Sequence, residues 1–165
     1  NNNNIMNKKG FTLIELIIVI AIIALLAAAT FVAVDPAKRI GEARDAQRWS
    51  DVTAVADAYM KYLVDNNGVA ASTTIADGTS YYIIHTSNGG DTDPSSCPGT
   101  STSLTLPVDL HALVTNGYIG DIPDDPGGTD GTSTDYYFYT DATSKVIVGA
   151  CTKYSGATNY PSVTR

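Results

Sequence analysis

The sequence predicts an α+β protein in which a long N-terminal helix packs on a small C-terminal antiparallel β-sheet head. Three observations support this fold class. An apolar run of helix length, residues 11–34, contains no Gly or Pro and one charged residue, Glu15. Apolar residues continue at helical spacing to about residue 65. Beyond it, short apolar runs alternate with turns rich in Gly, Asp, Ser and Thr, as in antiparallel sheets.

Residues 11–34 are predicted to form a transmembrane helix. About 20 apolar residues cross the hydrocarbon core of a bilayer as an α-helix. Lys8 and Lys9 precede the run and favour a cytoplasmic location for that end. A charge inside such a span costs about 3 kcal/mol on insertion scales, so Glu15 is predicted to be functional. The alternative is a secretory signal peptide, for which the run is too long and lacks a small-residue cleavage site.

The residues at the start of this run resemble the processing motif of type IV pilins and pseudopilins. Lys8 and Lys9 form a short basic leader, Gly10 precedes the cut, and Glu15 occupies the fifth position counted from Phe11. The resemblance implies that a prepilin peptidase cleaves between Gly10 and Phe11 and methylates the new amine of Phe11. Leader, cut site, Glu and apolar run occur together in order, which makes the motif specific.

Cleavage would create a positive amine on Phe11, close to Glu15 in the sequence. An unpaired carboxylate is costly in hydrocarbon, and the amine of a neighbouring subunit would satisfy it. Glu15 is therefore predicted to set the register between identical helices during assembly. The alternative is an ordinary anchor helix that tolerates one Glu.

The break at Asp35 and Pro36 divides the long helix into two halves. A kink is expected near Pro36, because Pro removes a backbone donor and crowds the preceding turn. Alternatively, Asp35 caps a new helix that has Pro36 in its first turn.

The predicted segments are a leader peptide at residues 1–10, the transmembrane and assembly helix at 11–34, an amphipathic second half at 35–67 and the β-rich head at 68–165.

The amphipathic half is predicted to pack on the head and to stop near Gly68. Arg48 and Asp51 lie three residues apart and are expected to pair along the exposed flank. Trp49 is the only tryptophan and is interpreted as a packing residue, against the head or a neighbouring subunit. The apolar stripe consists of Ile40, Ala43, Val52, Val55, Ala56, Tyr59 and Leu63.

The head is predicted to contain three strands, a short extended piece at residues 104–106 and one short helix. The helix is expected at residues 108–116 and ends at Gly117. The polar tail after Cys151 receives no assignment. The strands are expected at residues 80–85, 136–139 and 145–151, the last two as a hairpin.

Cysteine content and charge limit the functional classes. Cys97 and Cys151 are the only cysteines, and an exported domain lies where disulfides form, so one bridge is expected and two free thiols are the alternative. The net charge is −7, and residues 66–165 contain ten Asp but only three basic residues. A head this acidic is a poor binder of nucleic acid.

Catalytic motifs and a phosphate-binding loop are absent from the sequence, so neither an enzyme nor a cofactor is expected. Residues 113–119, followed by residues 122–126, are similar to a stretch of the major pseudopilins of type II secretion and of related small pilins; in those pseudopilins the following loop binds calcium. Asp-rich turns are more often solvated turns, and no metal site is assigned. Oxygen ligands of the right type would come from Asp121, Asp124, Asp125, Asp130 and Asp135.

The sequence therefore predicts a structural subunit of a type IV pilus-like filament, a homo-oligomer polymerised through its apolar helix. The resemblance implies prepilin peptidase, a pilus assembly ATPase and platform machinery as partners. It also implies an inner-membrane location before assembly, with the C-terminal domain outside the cytoplasm, and a cell-surface pilus afterwards. The alternatives are a pseudopilin of a type II secretion or DNA-uptake system, and a membrane-tethered adhesin that never polymerises and does not need Glu15.

Overall fold

A computed structural model describes residues 10–72, 75–76, 78–84, 97, 106–128, 134–141, 143 and 145–165. The chain forms two compact units, Asn1–Arg39 and Ile40–Arg165. Lys8, Lys9 and Asp130 lie outside the described residues, as does the last residue of the strand predicted at 80–85.

Helix α1, Leu13–Val34, is apolar on every side and has no buried residue. A helix with no polar face either crosses a membrane or is covered by other protein. Thr12 precedes α1 in an extended conformation and caps its first turn. The predicted apolar helix is therefore present, and the described residues of its own chain do not cover it.

Asp35 interrupts the helical backbone at the predicted position. Its φ of 44° and ψ of 75° lie in the left-handed region, which residues other than Gly rarely adopt. Helix α2, Pro36–Asp65, begins at the next residue. The Asp35 carboxylate accepts a 3.3 Å hydrogen bond from the backbone N–H of Lys38. Asp35 thus caps α2, which has Pro36 in its first turn, and the interruption at Asp35 agrees with the predicted kink in the long helix.

The head contains a five-stranded sheet in the order β2-β1-β3-β4-β5. Strands β1 and β2 run parallel and every other neighbouring pair is antiparallel. The α+β class with a mostly antiparallel sheet is confirmed, and the parallel pair of β1 with β2 departs from the expected antiparallel pairing. A parallel pair needs a crossover connection, which the long segment between β1 and β2 permits. The strands are β1 Ser80–Ile84, β2 Leu106–Asp109, β3 Tyr136–Thr140, β4 Val146–Ala150 and β5 Ser162–Thr164.

In the head, the bounds expected for the short helix were wrong and one strand was missed. Residues 108–116 begin inside β2, and helix α3 covers only His111–Thr115. The Asp109 carboxylate accepts the backbone N–H of His111 at 2.8 Å, which turns the chain out of the strand. The polar tail also supplies β5, which sequence reasoning missed because its side chains are exposed or half-buried and show no apolar alternation.

The core of the second unit lies between α2 and the sheet. The rings of Tyr59 and Phe138 meet edge to face with their centroids 4.8 Å apart. Burial of an apolar side chain of this kind stabilises the fold by about 1.5–3 kcal/mol. The predicted stripe is correct from Val52 onwards but wrong at its start, because Ile40 is 55% exposed and Ala43 is also exposed.

Candidate processing and assembly site

The predicted cleavage junction, Gly10–Phe11, lies before the first turn of α1. Phe11 is 94% exposed, and Gly10 is exposed with open space around its α-carbon. A peptide bond outside a helix offers its backbone to a protease without prior unwinding. The junction is therefore sterically open within the described part of the chain.

Glu15 takes part in a capping box with Thr12. Its Oε2 atom accepts the backbone N–H of Thr12 at 2.8 Å and the Thr12 hydroxyl at 2.7 Å. The backbone N–H of Glu15 donates in return to the Thr12 hydroxyl oxygen at 3.4 Å. These bonds hold the carboxylate against Thr12 at the start of α1. Sequence reasoning missed Thr12, although Thr-x-x-Glu before an apolar run is the signature of this cap.

The capping box leaves part of the carboxylate available. Both bonds from Thr12 end on Oε2 of Glu15, and no other described residue donates to Oε1. A carboxylate offers about four lone-pair positions across its two oxygens. Glu15 can therefore cap its own helix and accept a further cation or donor through Oε1.

The surface of α1 has the character of a membrane span. Among the described residues, one helical stretch is long and apolar enough to cross a bilayer, and its most apolar window is not buried in the protein. The core helix of a soluble domain would be covered by its own fold. An exposed apolar helix near the N-terminus is consistent with membrane anchoring.

A buried ionic network lies beneath α2, where Arg48 bonds to Asp125 and Asp45. Arg48 Nε and Nη2 contact the two Asp125 carboxylate oxygens at 2.6 and 2.7 Å, and Nη1 contacts Asp45 Oδ1 at 2.6 Å. All three residues are buried. The expected surface pair of Arg48 with Asp51 is therefore wrong, because Asp51 instead accepts the Tyr136 hydroxyl at 2.8 Å.

Burial and hydrogen bonding shift the pKa values of Asp125, in the ionic network, and of Tyr136, which bonds to Asp51. Burial acts to raise the pKa of Asp125, but hydrogen bonds from Arg48, the Thr152 hydroxyl and the Gly127 N–H outweigh it and leave that pKa below the usual value. Burial, together with the hydrogen bond to Asp51, raises the pKa of Tyr136 well above the ordinary value. Asp125 is thus charged and Tyr136 neutral near pH 7.

Cys97 and Cys151 are joined by a disulfide, with their Sγ atoms 2.06 Å apart and their α-carbons 4.3 Å apart. Cys151 is buried, and its N–H donates to the Asp135 carbonyl at 2.9 Å. The next residue, Thr152, donates to Asp125. The bridge therefore attaches Cys97 to the end of β4, where the chain also joins the ionic network.

The described Asp residues that the sequence offered as calcium ligands do not come together as one metal site. The Asp125 carboxylate accepts bonds from Arg48, Thr152 and Gly127, so protein donors already use both of its oxygens. In the described ranges, no three His, Cys, Asp or Glu side chains are grouped as a metal site would require. Asp130 falls outside these ranges.

Comparison with protein families addresses the N-terminal segment. Residues 5–31 match the family model described as the prokaryotic N-terminal methylation motif. The chain carries the prepilin-type signature. This signature, shared by type IV pilins and pseudopilins, contains Gly10, Phe11, Thr12 and Glu15 and most of α1. No curated protein and no solved structure matches the chain.

The prepilin-type signature supports a type IV pilin-like or pseudopilin precursor. It implies processing by a prepilin peptidase, pilin assembly and a structural rather than enzymatic role. The signature ends within α1, so the fold of the head rests on the structure alone.

Proposed function

We propose that this chain is a structural subunit of a type IV pilus-like filament, cut between Gly10 and Phe11 and polymerised through α1. The observation that carries the proposal is α1 itself, an apolar helix without a buried residue that begins at the prepilin-type signature. Lipid covers such a helix before assembly. Other copies of the same helix would cover it in a filament core.

Glu15 supplies the pairing chemistry. Cleavage frees the amine of Phe11, and a positive amine in an apolar filament core needs a carboxylate partner. Oε1 of Glu15 is open to such a partner, while Oε2 remains bonded to Thr12. Pairing between one subunit's Glu15 and the next subunit's Phe11 is a head-to-tail contact, which repeats into a helical fibre.

The proposed partners follow from this sequence of events. A prepilin peptidase would cut the precursor in the inner membrane, where the second unit lies outside the cytoplasm. A cytoplasmic assembly ATPase and its platform would supply the work of extracting α1 from lipid. The assembled fibre would be exposed at the cell surface.

Glu15 substitutions test the proposal. Glu15→Leu makes the span more apolar, so insertion and processing should continue, while the only carboxylate of α1 is lost. Glu15→Gln keeps a side chain that can complete the capping box but removes the charge. Both variants should accumulate processed subunit in membranes and lose filaments in electron micrographs. Filaments at wild-type abundance in Glu15→Gln would refute the pairing. Processed wild-type chain that stays in the membrane without filaments would favour a tethered module.

A further inference from the structure

One stretch of α2, residues 45–56, turns its charges inward. Its three charged side chains, Asp45, Arg48 and Asp51, are 9%, 5% and 7% exposed. Asp45 and Arg48 are bonded within the ionic network beneath the helix. Asp51 accepts hydrogen bonds from the Tyr136 hydroxyl and the Gln47 amide. The exposed residues of the stretch carry no charge; they are Ala46, Gln47, Trp49, Ser50 and Ala54.

The charged side chains of this stretch depart from the usual pattern of a surface helix, which directs charges to water. Its apolar residues Val52, Val55 and Ala56 are buried in the core as usual. The uncharged surface, here called the neutral face, extends for about 12 Å along the helix from Ala46 to Ala54, at about 1.5 Å per residue. Exposed charged residues, Arg44 and Asp57, flank it in the sequence. Solvation alone does not explain why these particular charges are buried.

Trp49 is the one large apolar side chain of the neutral face and is 45% exposed. Small side chains lie near it on the helix surface, since Ala46 and Ser50 are exposed and within one turn. Protein interfaces are enriched in Trp and depleted of charge at their centres. Small neighbours allow another helix to approach closely, with the indole at the edge of the contact.

We propose that the neutral face of α2 docks against α1 of a second copy of the chain. This inference rests on the proposed filament. Once α1 leaves lipid, its apolar surface needs a cover, and a charged surface would lose water there without gaining a partner. The neutral face avoids this penalty because Asp45, Arg48 and Asp51 bond within their own subunit. The acidic remainder of the head suits an apolar helix less well.

The only tryptophan of the chain gives a direct probe. In detergent-solubilised, processed subunit, Trp49 should be quenched readily by acrylamide and iodide. In purified filaments, the quenching constant should fall several-fold and the emission maximum should shift to the blue, because the indole becomes covered. Equal quenching in filaments and isolated subunits would overturn the inference while leaving the filament proposal intact. If the processed chain forms no filaments, both proposals fail.

A matched pair of substitutions provides the second test. Ser50→Glu adds a charge to the neutral face, and Ser155→Glu adds the same charge at an exposed position near the C-terminus. Both variants should accumulate as processed, disulfide-bonded subunit. Only Ser50→Glu should lose filaments by a large factor, measured in sheared surface fractions. Wild-type filament yield for Ser50→Glu, or an equal loss for Ser155→Glu, would contradict the docking of this face.

Discussion

Arg48 and Asp125 lie 77 positions apart in the sequence and form a buried, two-pronged ion pair. The pair joins α2 to the turn at Asp125, and Thr152 links the same carboxylate to the chain after β4. One contact thus fastens three separate segments of the second unit. It also keeps the charge of Arg48 away from the exposed side of α2.

Loss of one partner from this pair should destabilise the second unit strongly. Asp125→Asn leaves the Arg48 guanidinium buried without full compensation, and removal of one partner of a buried ion pair costs about 3–5 kcal/mol. Denaturant unfolding of the full chain in mild detergent, followed by circular dichroism, measures the change. Arg165→Ala is the control, because its 2.7 Å pair with Asp57 is exposed and screened by water. Comparable losses for the two variants would contradict the burial argument.

The stability that Asp125 contributes should depend on pH. Its pKa in the folded protein is lower than in the unfolded chain, so the folded state binds the proton less readily. The contribution is complete above the unfolded value of about 3.9 and is lost as the pH falls through the folded pKa. The stability difference between wild type and Asp125→Asn should therefore be large at pH 7 and shrink in strong acid. A difference that stays constant across this range would refute the assigned shift.

Thr12 should affect filament yield without affecting processing. Thr12→Val removes the hydroxyl that donates to Glu15 and accepts its N–H, while the backbone bond to Oε2 remains possible. Loss of a helix cap costs about 1 kcal/mol, so the Glu15 carboxylate should be held less firmly. We expect normal cleavage with fewer filaments, and recovery in Thr12→Ser. Equal filament yield in Thr12→Val and wild type would show that the cap is dispensable.

The Cys97–Cys151 bridge should be present in material from outside the cytoplasm. Peptide mapping without reduction should recover the two cysteines in one linked peptide pair. Replacement of both by Ser should destabilise the fold by about 4 kcal/mol in the chain-entropy model for a loop of this size. Recovery of two alkylatable thiols from exported protein would exclude the bridge.

Local patterns in the sequence predicted the parts of the molecule that depend on neighbouring residues. The apolar run determines α1, Asp35 with Pro36 determines the helix break, and the β3–β4 hairpin follows from strand and turn residues. The prepilin-type signature was readable because its residues are contiguous. Thr12 is also readable from local sequence, because Thr-x-x-Glu before an apolar run is the pattern of a capping box.

The features that the sequence did not reveal depend on contacts between distant segments. The parallel pairing of β1 with β2 and the addition of β5 at the sheet edge are set by tertiary packing. The pairing of Arg48 with Asp51 was expected because they are three residues apart. In the structure Arg48 pairs with Asp125 instead of Asp51, because both carboxylate oxygens of Asp125 bond to the guanidinium in a buried site.

The mature N-terminus of the subunit in filaments tests the central claim most directly. Surface filaments should be sheared from cells, imaged by electron microscopy and analysed by peptide mass spectrometry. The account predicts filaments whose main subunit is this chain, beginning at Phe11 with a methylated amine. Filaments built from chains that retain Gly10 and the preceding residues, or processed chain found only in membranes with no filaments, would contradict it.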